Sequence, residues 1–267
     1  MFLGRTPERR APALGDSGRV MIASALMGPS IMRHVGAALA LLACCASPAR
    51  ADWSFTAYRG DAATTANTVH IEHKAAGAGT DYTLKRASYD GQGWQKPVYY
   101  GYRLTHFSHG RPWLGLEAEF THAKAVANVN QTLGINGASG TLSQVLQHYE
   151  LSHGLNLALV NLVARRRLGE NSAARRVDLV ARAGGGLTFP HVEAIFEGVR
   201  TNEYEYGGPA WQLGGGAEWR LVAGLTAVAD ARLSVAYEHV DIGPAHLSGI
   251  FVSRHFDIGL AWHLGRR

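Results

Sequence analysis

From residue 52 onward the sequence predicts an all-β protein: a small closed antiparallel transmembrane β-barrel, with eight strands as the favoured count and ten as the alternative. Three observations support this. Apolar and polar residues alternate with period two through segments of about ten residues. The polar positions are rich in Arg, Asp, Glu and Gly, while aromatic residues cluster near the ends of the apolar positions. No apolar stretch approaches the ~20 residues of a transmembrane helix.

Residues 1–51 have the pattern of an export leader. Met32-Arg33-His34 supplies a positive start, a short apolar run follows, and Ala49-Arg50-Ala51 provides the small residues of a signal-peptide cleavage site. A lipoprotein box at Leu41-Leu42-Ala43-Cys44 is the alternative. The predicted organisation is therefore a leader, 1–51, cleaved after Ala51, and a barrel, 52–267.

Removing the leader changes the charge balance. It holds six of the 26 Lys and Arg residues and two of the 21 Asp and Glu residues, so 20 basic and 19 acidic residues remain. This near-neutral balance gives no support for binding nucleic acid. Both cysteines, Cys44 and Cys45, also lie in the leader, so the exported chain must be stable without disulfides.

The alternation gives each strand a lipid face and a lumenal face. In LTAVADARLSVAYEH every second residue from Leu225 to Tyr237 is apolar, and Asp230, Arg232 and Glu238 fall between them. Apolar residues facing lipid and polar residues facing the lumen are typical of transmembrane barrels, and closure is required because lipid cannot satisfy a free strand edge. In a barrel of about eight strands side chains fill the interior, so the lumenal charges are expected to form a packed ion-pair network and not a pore. The residues assigned to the network are Glu117, Glu119, Asp178, Glu218, Asp230, Glu238, Asp257, Arg176, Arg182, Arg220 and Arg232.

Loop lengths set the direction of the strands. Tight turns at 109–112 and 221–225 belong to the periplasmic side, and the long stretches 61–97, 124–152 and 189–206 are expected as irregular outer loops. The eight predicted strands are 53–60, 98–107, 113–123, 153–167, 176–188, 207–221, 224–240 and 249–264. In the ten-stranded alternative 67–73 and 80–88 also span the membrane, but a hairpin within the first outer loop is favoured.

The register of 153–167 is ambiguous, because Asn161 breaks its apolar face. The glycines Gly184 to Gly186 are expected to allow close strand packing, since no helix follows them and a phosphate-binding loop is therefore excluded.

The segment GGGLTFPHVE, 184–193, predicts a strand that ends at the outer rim. Pro190 cannot donate a ladder hydrogen bond, so the strand leaves the sheet there, and His191 and Glu193 follow on one side of the chain if it stays extended. Three further histidines reach the same rim with lipid-facing parity: His122, His153 and His239. Imidazoles and carboxylates together supply acid–base groups near neutral pH, or ligands for a divalent ion. For any single histidine, the alternative is an interfacial anchor.

Five segments of the chain resemble one outer-membrane family, the lipid A oxidase group described from rhizobia. They are PVYYGYRLTHF (97–107), EFTHAKA (119–125), SHGLNLALVNL (152–162), GGGLTFPHVEA (184–194) and GGPAWQLGGGAEW (207–219). The resemblance implies oxidation of the proximal glucosamine of lipid A to 2-aminogluconate, with molecular oxygen consumed and hydrogen peroxide released. It carries no established catalytic residues to this chain.

The leading hypothesis is therefore a lipid A-modifying enzyme of the Gram-negative outer membrane. We assign His122, His191 and Glu193 as catalytic residues and as the ligands of any divalent metal ion; Lys124, His153 and His239 are expected to bind the headgroup. No flavin or nicotinamide signature is present, so a redox cofactor would have to be a metal ion. The expected partners are outer-leaflet lipopolysaccharide (lipid A) and molecular oxygen, and the chain is expected to be a monomer.

Two other functions stay open. The first is a non-enzymatic small outer-membrane barrel, structural or adhesin-like, whose outer loops bind a partner. The second is a lipid A acyl hydrolase, but Ser108 near His106 falls at the periplasmic end and Ser152–His153 lacks a convincing third member.

Overall fold

The computed structural model describes residues 52–169 and 176–264, apart from the side chains of Ser152 and His153. The predicted leader, 1–51, lies outside the described residues. Among the described residues no helix is both long and apolar enough to cross a bilayer. The elements are β1 (Asp52–Thr64), β2 (Asn67–His73), β3 (Tyr82–Ala87), β4 (Tyr89–Asp90), β5 (Tyr100–Phe107), β6 (Leu114–Ala127), β7 (Thr132–Ile135), β8 (Ala138–Thr141), a 3₁₀ turn (Leu142–Gln144), β9 (Leu146–Arg167), β10 (Val177–Thr188), β11 (His191–Phe196), β12 (Val199–Tyr204), β13 (Gly208–Val222), β14 (Leu225–Asp241) and β15 (Ala245–His263).

Eight strands close into an antiparallel barrel. The pairing order is β1–β5–β6–β9–β10–β13–β14–β15, and β15 returns to β1 along a ladder from Ser54–His263 to Thr64–Ser253. The predicted fold class and strand count are confirmed. Strands β2 and β3 form a hairpin, and the ladder between β2 and β15 is confined to the outer end of β15, at Ala245–Gly249. The ten-stranded alternative is therefore wrong, and the hairpin interpretation is confirmed.

The short turns and the long segments lie at opposite ends of the barrel as predicted, but the structure of the long segments differs from the prediction. The N-terminal strand and the C-terminal strand meet at the end with short turns, where the Leu264 amide donates to the Trp53 carbonyl at 2.8 Å. The opposite end carries the hairpins β2–β3, β7–β8 and β11–β12. The expectation of irregular outer loops is wrong, because these segments pair. The β6–β9 ladder, for example, continues to Val126–Glu150, and β11 pairs with β9 there, which satisfies strand edges beyond the membrane.

Side chains alternate between the two faces as predicted. On β13, Leu213 is 64% exposed on the outside while its neighbour Gln212 is 5% exposed inside. The same contrast holds on β15, where Phe256 and Ile258 are exposed and Asp257 is fully buried. The outside is therefore an apolar band for lipid. The closed sheet and this band together make the chain an outer-membrane β-barrel of Gram-negative type.

Three arginines fill the centre of the barrel. Arg103 lies 2.8 Å from Glu119 and also contacts Asp230 and Asp257. Arg182 bridges Glu117 at 3.2 Å and Asp230 at 2.6 Å, and Arg232 bridges Glu119 at 2.9 Å and Asp257 at 2.7 Å. All seven side chains are buried. The interior is a packed ion-pair network, as predicted.

The membership of the network differs from the prediction at several positions. Arg103, the arginine with three carboxylate partners, was not assigned to it. Arg176 is exposed, and Arg220 lies half-buried at 3.9 Å from Asp178, close to the periplasmic end. Glu238 is fully buried near Thr188 and Gly207, away from the arginines. Because the narrow lumen holds only about three guanidinium groups in its middle, charges near the strand ends fall outside the network.

Asn161 belongs to the lumen, which settles the register of β9. Its amide donates to Glu117 at 3.0 Å and to Glu119 at 2.8 Å. The pattern was ambiguous because β9 is apolar on both faces, with Leu159 buried inside and Leu162 exposed outside. A Cβ on Gly184 would clash with the Asn161 amide oxygen, so the glycine leaves room for that amide. The close-packing role predicted for Gly184 is confirmed.

Replacing Arg103 with methionine is expected to destabilise the barrel by about 3–5 kcal/mol, because three buried carboxylates lose a partner. Urea unfolding in lipid vesicles measures the change. The matched control is Arg176→Met at an exposed position, which is expected to stay within about 0.5 kcal/mol of wild type. Equal losses for the two variants would contradict a structural role for the network.

Candidate functional site

Four polar residues form one continuous row on the outside of the barrel. Register pairs Arg59 of β1 with Tyr100 of β5, Tyr100 with His122 of β6, and His122 with Asn156 of β9. Directly paired residues project from the same face of a sheet, and these four keep the parity of exposed lipid-facing residues such as Phe120. We call Arg59, Tyr100, His122 and Asn156 the outer-face row.

The His122 ring is held on both sides within this row. Tyr100 stacks on it with ring centroids 4.8 Å apart and planes 22° apart. Its Nδ1 atom lies 2.9 Å from Oδ1 of Asn156. An amide oxygen only accepts, so the neutral ring carries its proton on Nδ1 and has Nε2 as its basic nitrogen, an assignment made from the hydrogen-bond pattern. Exposure falls along the row, from exposed Arg59 to His122 at 4%.

Asn156 connects the row to the end of β10. Its amide group donates to the Phe189 carbonyl at 2.9 Å, which fixes the orientation of the amide, and its own carbonyl accepts from the Phe189 amide at 2.9 Å. Pro190 follows at once and β11 begins at His191. The β10 ladder is therefore interrupted before Pro190 as predicted, but the chain does not leave the sheet, because β11 resumes pairing with β9. The chain that carries His191 is tied to the residue that holds His122.

His191 and Glu193 lie together on β11. Nδ1 of His191 is 3.6 Å from Oε1 of Glu193, and both side chains are about seven-eighths buried. The edge of the His191 ring meets Tyr204 of β12 with centroids 4.5 Å apart. Arg200 approaches Glu193 at 3.9 Å. The structure thus provides an imidazole beside a carboxylate, which can hold and move a proton near neutral pH.

The metal-ligand geometry differs from the set assigned above. Within the described residues, one group of three His or acidic side chains has its ligand atoms within 4.8 Å of one another, and it consists of His148, Glu150 and Glu193. One imidazole and two carboxylates suit a divalent ion such as Mn²⁺ or Fe²⁺. His122 and His191 do not belong to this group, so their role as metal ligands stays a prediction.

The group of three lies farther from the membrane than the outer-face row. Glu150 pairs with Val126, four positions beyond His122 on β6, and His122 pairs with Asn156. At ~3.3 Å per residue this separation is about 13 Å along the strand. Glu193 belongs to the group and contacts His191, so it links the possible metal site to the acid–base pair.

Lys124 and His239, two of the three residues expected to bind a headgroup, do not come together. Lys124 is 3% exposed, at a bulge of β6, so its ammonium group does not lie on the open surface. His239 is exposed and stacks on His246 at 4.9 Å on the far side of β13. The side chain of His153 lies outside the described residues. Among the described residues, the rim histidines are therefore less closely clustered than predicted.

The cluster around His239 contains its own charges. Lys74 lies 2.7 Å from Asp241, and His246 lies 2.6 Å from the same carboxylate. Desolvation alone would raise the pKa of Asp241, but the hydrogen bond and charge of Lys74, together with His246, outweigh it and lower that pKa. This outer group is an exposed ion-pair cluster, separate from the outer-face row.

Sequence reasoning missed Arg59, Tyr100 and Asn156. Arg59 had a usable signal: it shares the parity of Phe55 and Ala57, and an arginine on the lipid face costs about 2–4 kcal/mol at the midplane but only about 0–1 near the interface. An arginine with lipid-facing parity thus indicates the interface. Tyr100 and Asn156 became significant only through their register with His122.

Comparison with known proteins found similarity among solved structures of outer-membrane proteins. No protein-family model matches the chain, and no match was found among curated proteins. The chain is similar to solved structures of Neisserial surface protein A (8% identity over 79% of this chain and 97% of the other, TM-score 0.37). It is also similar to the outer membrane protease OmpT from Escherichia coli (8%, 82% and 98%, 0.42) and the outer membrane protein OprG from Pseudomonas aeruginosa (12%, 81% and 97%, 0.34).

If His148, Glu150 and Glu193 hold a divalent ion, Glu150→Gln is expected to weaken Mn²⁺ binding by about tenfold or more, because it removes a charged ligand. Isothermal titration of the purified barrel measures the affinity. The control is Glu203→Gln, an exposed glutamate on β12, which is expected to bind like wild type. Failure of the wild-type protein to bind Mn²⁺, or equal binding by Glu150→Gln, would contradict this site.

Proposed function

We propose that the chain is an outer-membrane enzyme that oxidises the proximal glucosamine of lipid A to 2-aminogluconate with molecular oxygen. The outer-face row carries the proposal. It gathers polar side chains on the lipid side of the wall, where a barrel needs apolar residues unless the position meets headgroups. Lipid A has its sugars at the surface of the outer leaflet, so a sugar could reach this row without leaving the membrane.

The reaction balances as a two-electron oxidation. The anomeric carbon loses its hydrogen, its hydroxyl loses a proton, and the resulting lactone is opened by water to the acid. Oxygen takes up two electrons and two protons and leaves as hydrogen peroxide. The substrate therefore gains the mass of one oxygen atom.

The chain offers a base for the hydroxyl proton. His191 is assigned this role, because Glu193 at 3.6 Å stabilises the imidazolium that forms. His122, whose Nδ1 is hydrogen-bonded to Asn156, is proposed to contact the sugar of lipid A at the buried end of the row. A redox-active divalent ion, bound by His148, Glu150 and Glu193, would supply the electron path from sugar to oxygen.

One observation favours a second candidate, a non-enzymatic barrel. The His122 ring is 4% exposed and clamped between Tyr100 and Asn156, which is also how an anchor within the wall would be held. In that case the outer hairpins would carry the function, and lipid A would be unchanged.

His191→Ala is expected to lower lipid A oxidation by about 100- to 10,000-fold, the usual effect of losing a general base. Mass spectrometry of lipid A measures this in cells of a Gram-negative host that lacks the activity and whose lipid A carries no phosphate on the anomeric oxygen, because the reaction needs a free anomeric hydroxyl. The matched control is His109→Ala, an exposed histidine of the periplasmic turn at 109–112, which is expected to give the oxidised product like wild type.

Each outcome of that experiment has a distinct meaning, provided that heat-modifiable electrophoresis shows equal amounts of folded barrel. An oxidised product with His191→Ala would exclude His191 as the base. No added oxygen with the wild-type protein would contradict the oxidase and support the non-enzymatic barrel. Loss of an acyl chain would indicate a hydrolase instead.

A further inference from the structure

A groove of about 930 Å³ runs along the outside of the barrel wall formed by β1, β5, β14 and β15. Its volume lies within the ~300–1,000 Å³ of small-molecule sites. Most of its lining is apolar, including Ala57, Tyr102, Leu260 and Trp262. It opens on the lipid side of the wall, so hydrocarbon and not water is its natural content.

The outer edge of the groove is fixed by the segment before β5. Trp94 and Val98 of this segment line the groove. The Gly93 amide donates to Oδ1 of Asp61 on β1 at 3.1 Å, and the Tyr99 amide donates to the Gly93 carbonyl at 2.8 Å. The segment is thus held against the outside of β1, and the groove is part of the folded wall.

Arg59 is the one charged residue among the described residues that line the groove. Its guanidinium lies 5.2 Å from the centre of the Trp94 ring, and within the described part of the chain it forms no ion pair with a carboxylate. The same residue begins the outer-face row. An exposed cation at the interface, steadied by an aromatic ring, is suited to an anionic group.

The register shows how the groove extends from Arg59. On β15, Ile258 pairs with Arg59, Leu260 with Ala57, and Trp262 with Phe55. These pairs step from the level of Arg59 toward the periplasmic end. The apolar lining therefore runs down into the bilayer below Arg59, and the outer-face row runs sideways from Arg59 toward His122.

We propose that this groove holds one acyl chain of a phosphorylated glycolipid of the outer leaflet, and that Arg59 binds its phosphate. A guanidinium can bind a phosphate through two parallel hydrogen bonds. The identification of the lipid as lipid A rests on the proposed function. The inference adds how the substrate is held: the chain lies along the wall, the phosphate meets Arg59, and the sugar follows the row toward His122 and His191.

Native mass spectrometry of the purified barrel, titrated with lipid A in detergent micelles, tests this. Arg59→Gln removes the charge and Ala57→Phe fills the groove, and each is expected to weaken lipid A binding by about tenfold or more. Two matched controls lie on the outside but away from the groove: Arg254→Gln on β15 and Ala183→Phe on β10, both exposed. These are expected to bind like wild type.

A second titration uses lipid A from which the phosphates have been removed. Wild type is expected to bind it about tenfold more weakly than phosphorylated lipid A, and Arg59→Gln is expected to bind both forms equally. Unchanged binding by both Arg59→Gln and Ala57→Phe, or no preference of wild type for the phosphorylated form, would overturn the inference.

This test is independent of the reaction. If the purified barrel binds lipid A through the groove but lipid A stays chemically unmodified in cells, the groove inference is supported and the oxidase is contradicted. If lipid A is oxidised in cells but the groove variants bind it like wild type, the oxidase is supported and the groove inference is contradicted.

Discussion

Every backbone donor and acceptor that faces hydrocarbon must be paired within the protein, because lipid offers no alternative partner. The ladder from Ser54–His263 to Thr64–Ser253 meets this requirement by joining the last strand to the first. Once the sheet is closed, residue parity decides which side chains meet lipid and which meet the lumen. The position of Arg103 inside and of Arg59 outside follows from the same closure.

The filled interior moves the chemistry to the outside of the wall. Arg103, Arg182 and Arg232 with their carboxylates occupy the lumen, so no substrate can pass along it. Polar groups available to a lipid are therefore those with lipid-facing parity at the outer end. The outer-face row and the His191–Glu193 pair are two such features, and Asn156 joins them through Phe189.

Local patterns predicted the barrel well but its site only in part. The alternation of β14 and the break at Pro190 fixed strand identity, face and the end of β10 from neighbouring residues alone. Asn161 did not reveal the register of β9, because that strand is apolar on both faces. The pairing of Tyr100 with His122, and the approach of His148 to Glu193, depend on register between strands distant in sequence, which alternation does not determine.

The proposed function depends most on the outer-face row lying at the headgroup depth of the outer leaflet. Since both cysteines of the chain, Cys44 and Cys45, precede the barrel, single spin labels at Tyr100→Cys and Leu104→Cys in the barrel 52–267 can report depth by electron paramagnetic resonance. We predict that the label at 100 is accessible to both oxygen and a water-soluble nickel chelate, and that the label at 104 is accessible to oxygen alone. A label at 100 that is shielded from both reagents, or buried in hydrocarbon as deeply as the label at 104, would contradict the account.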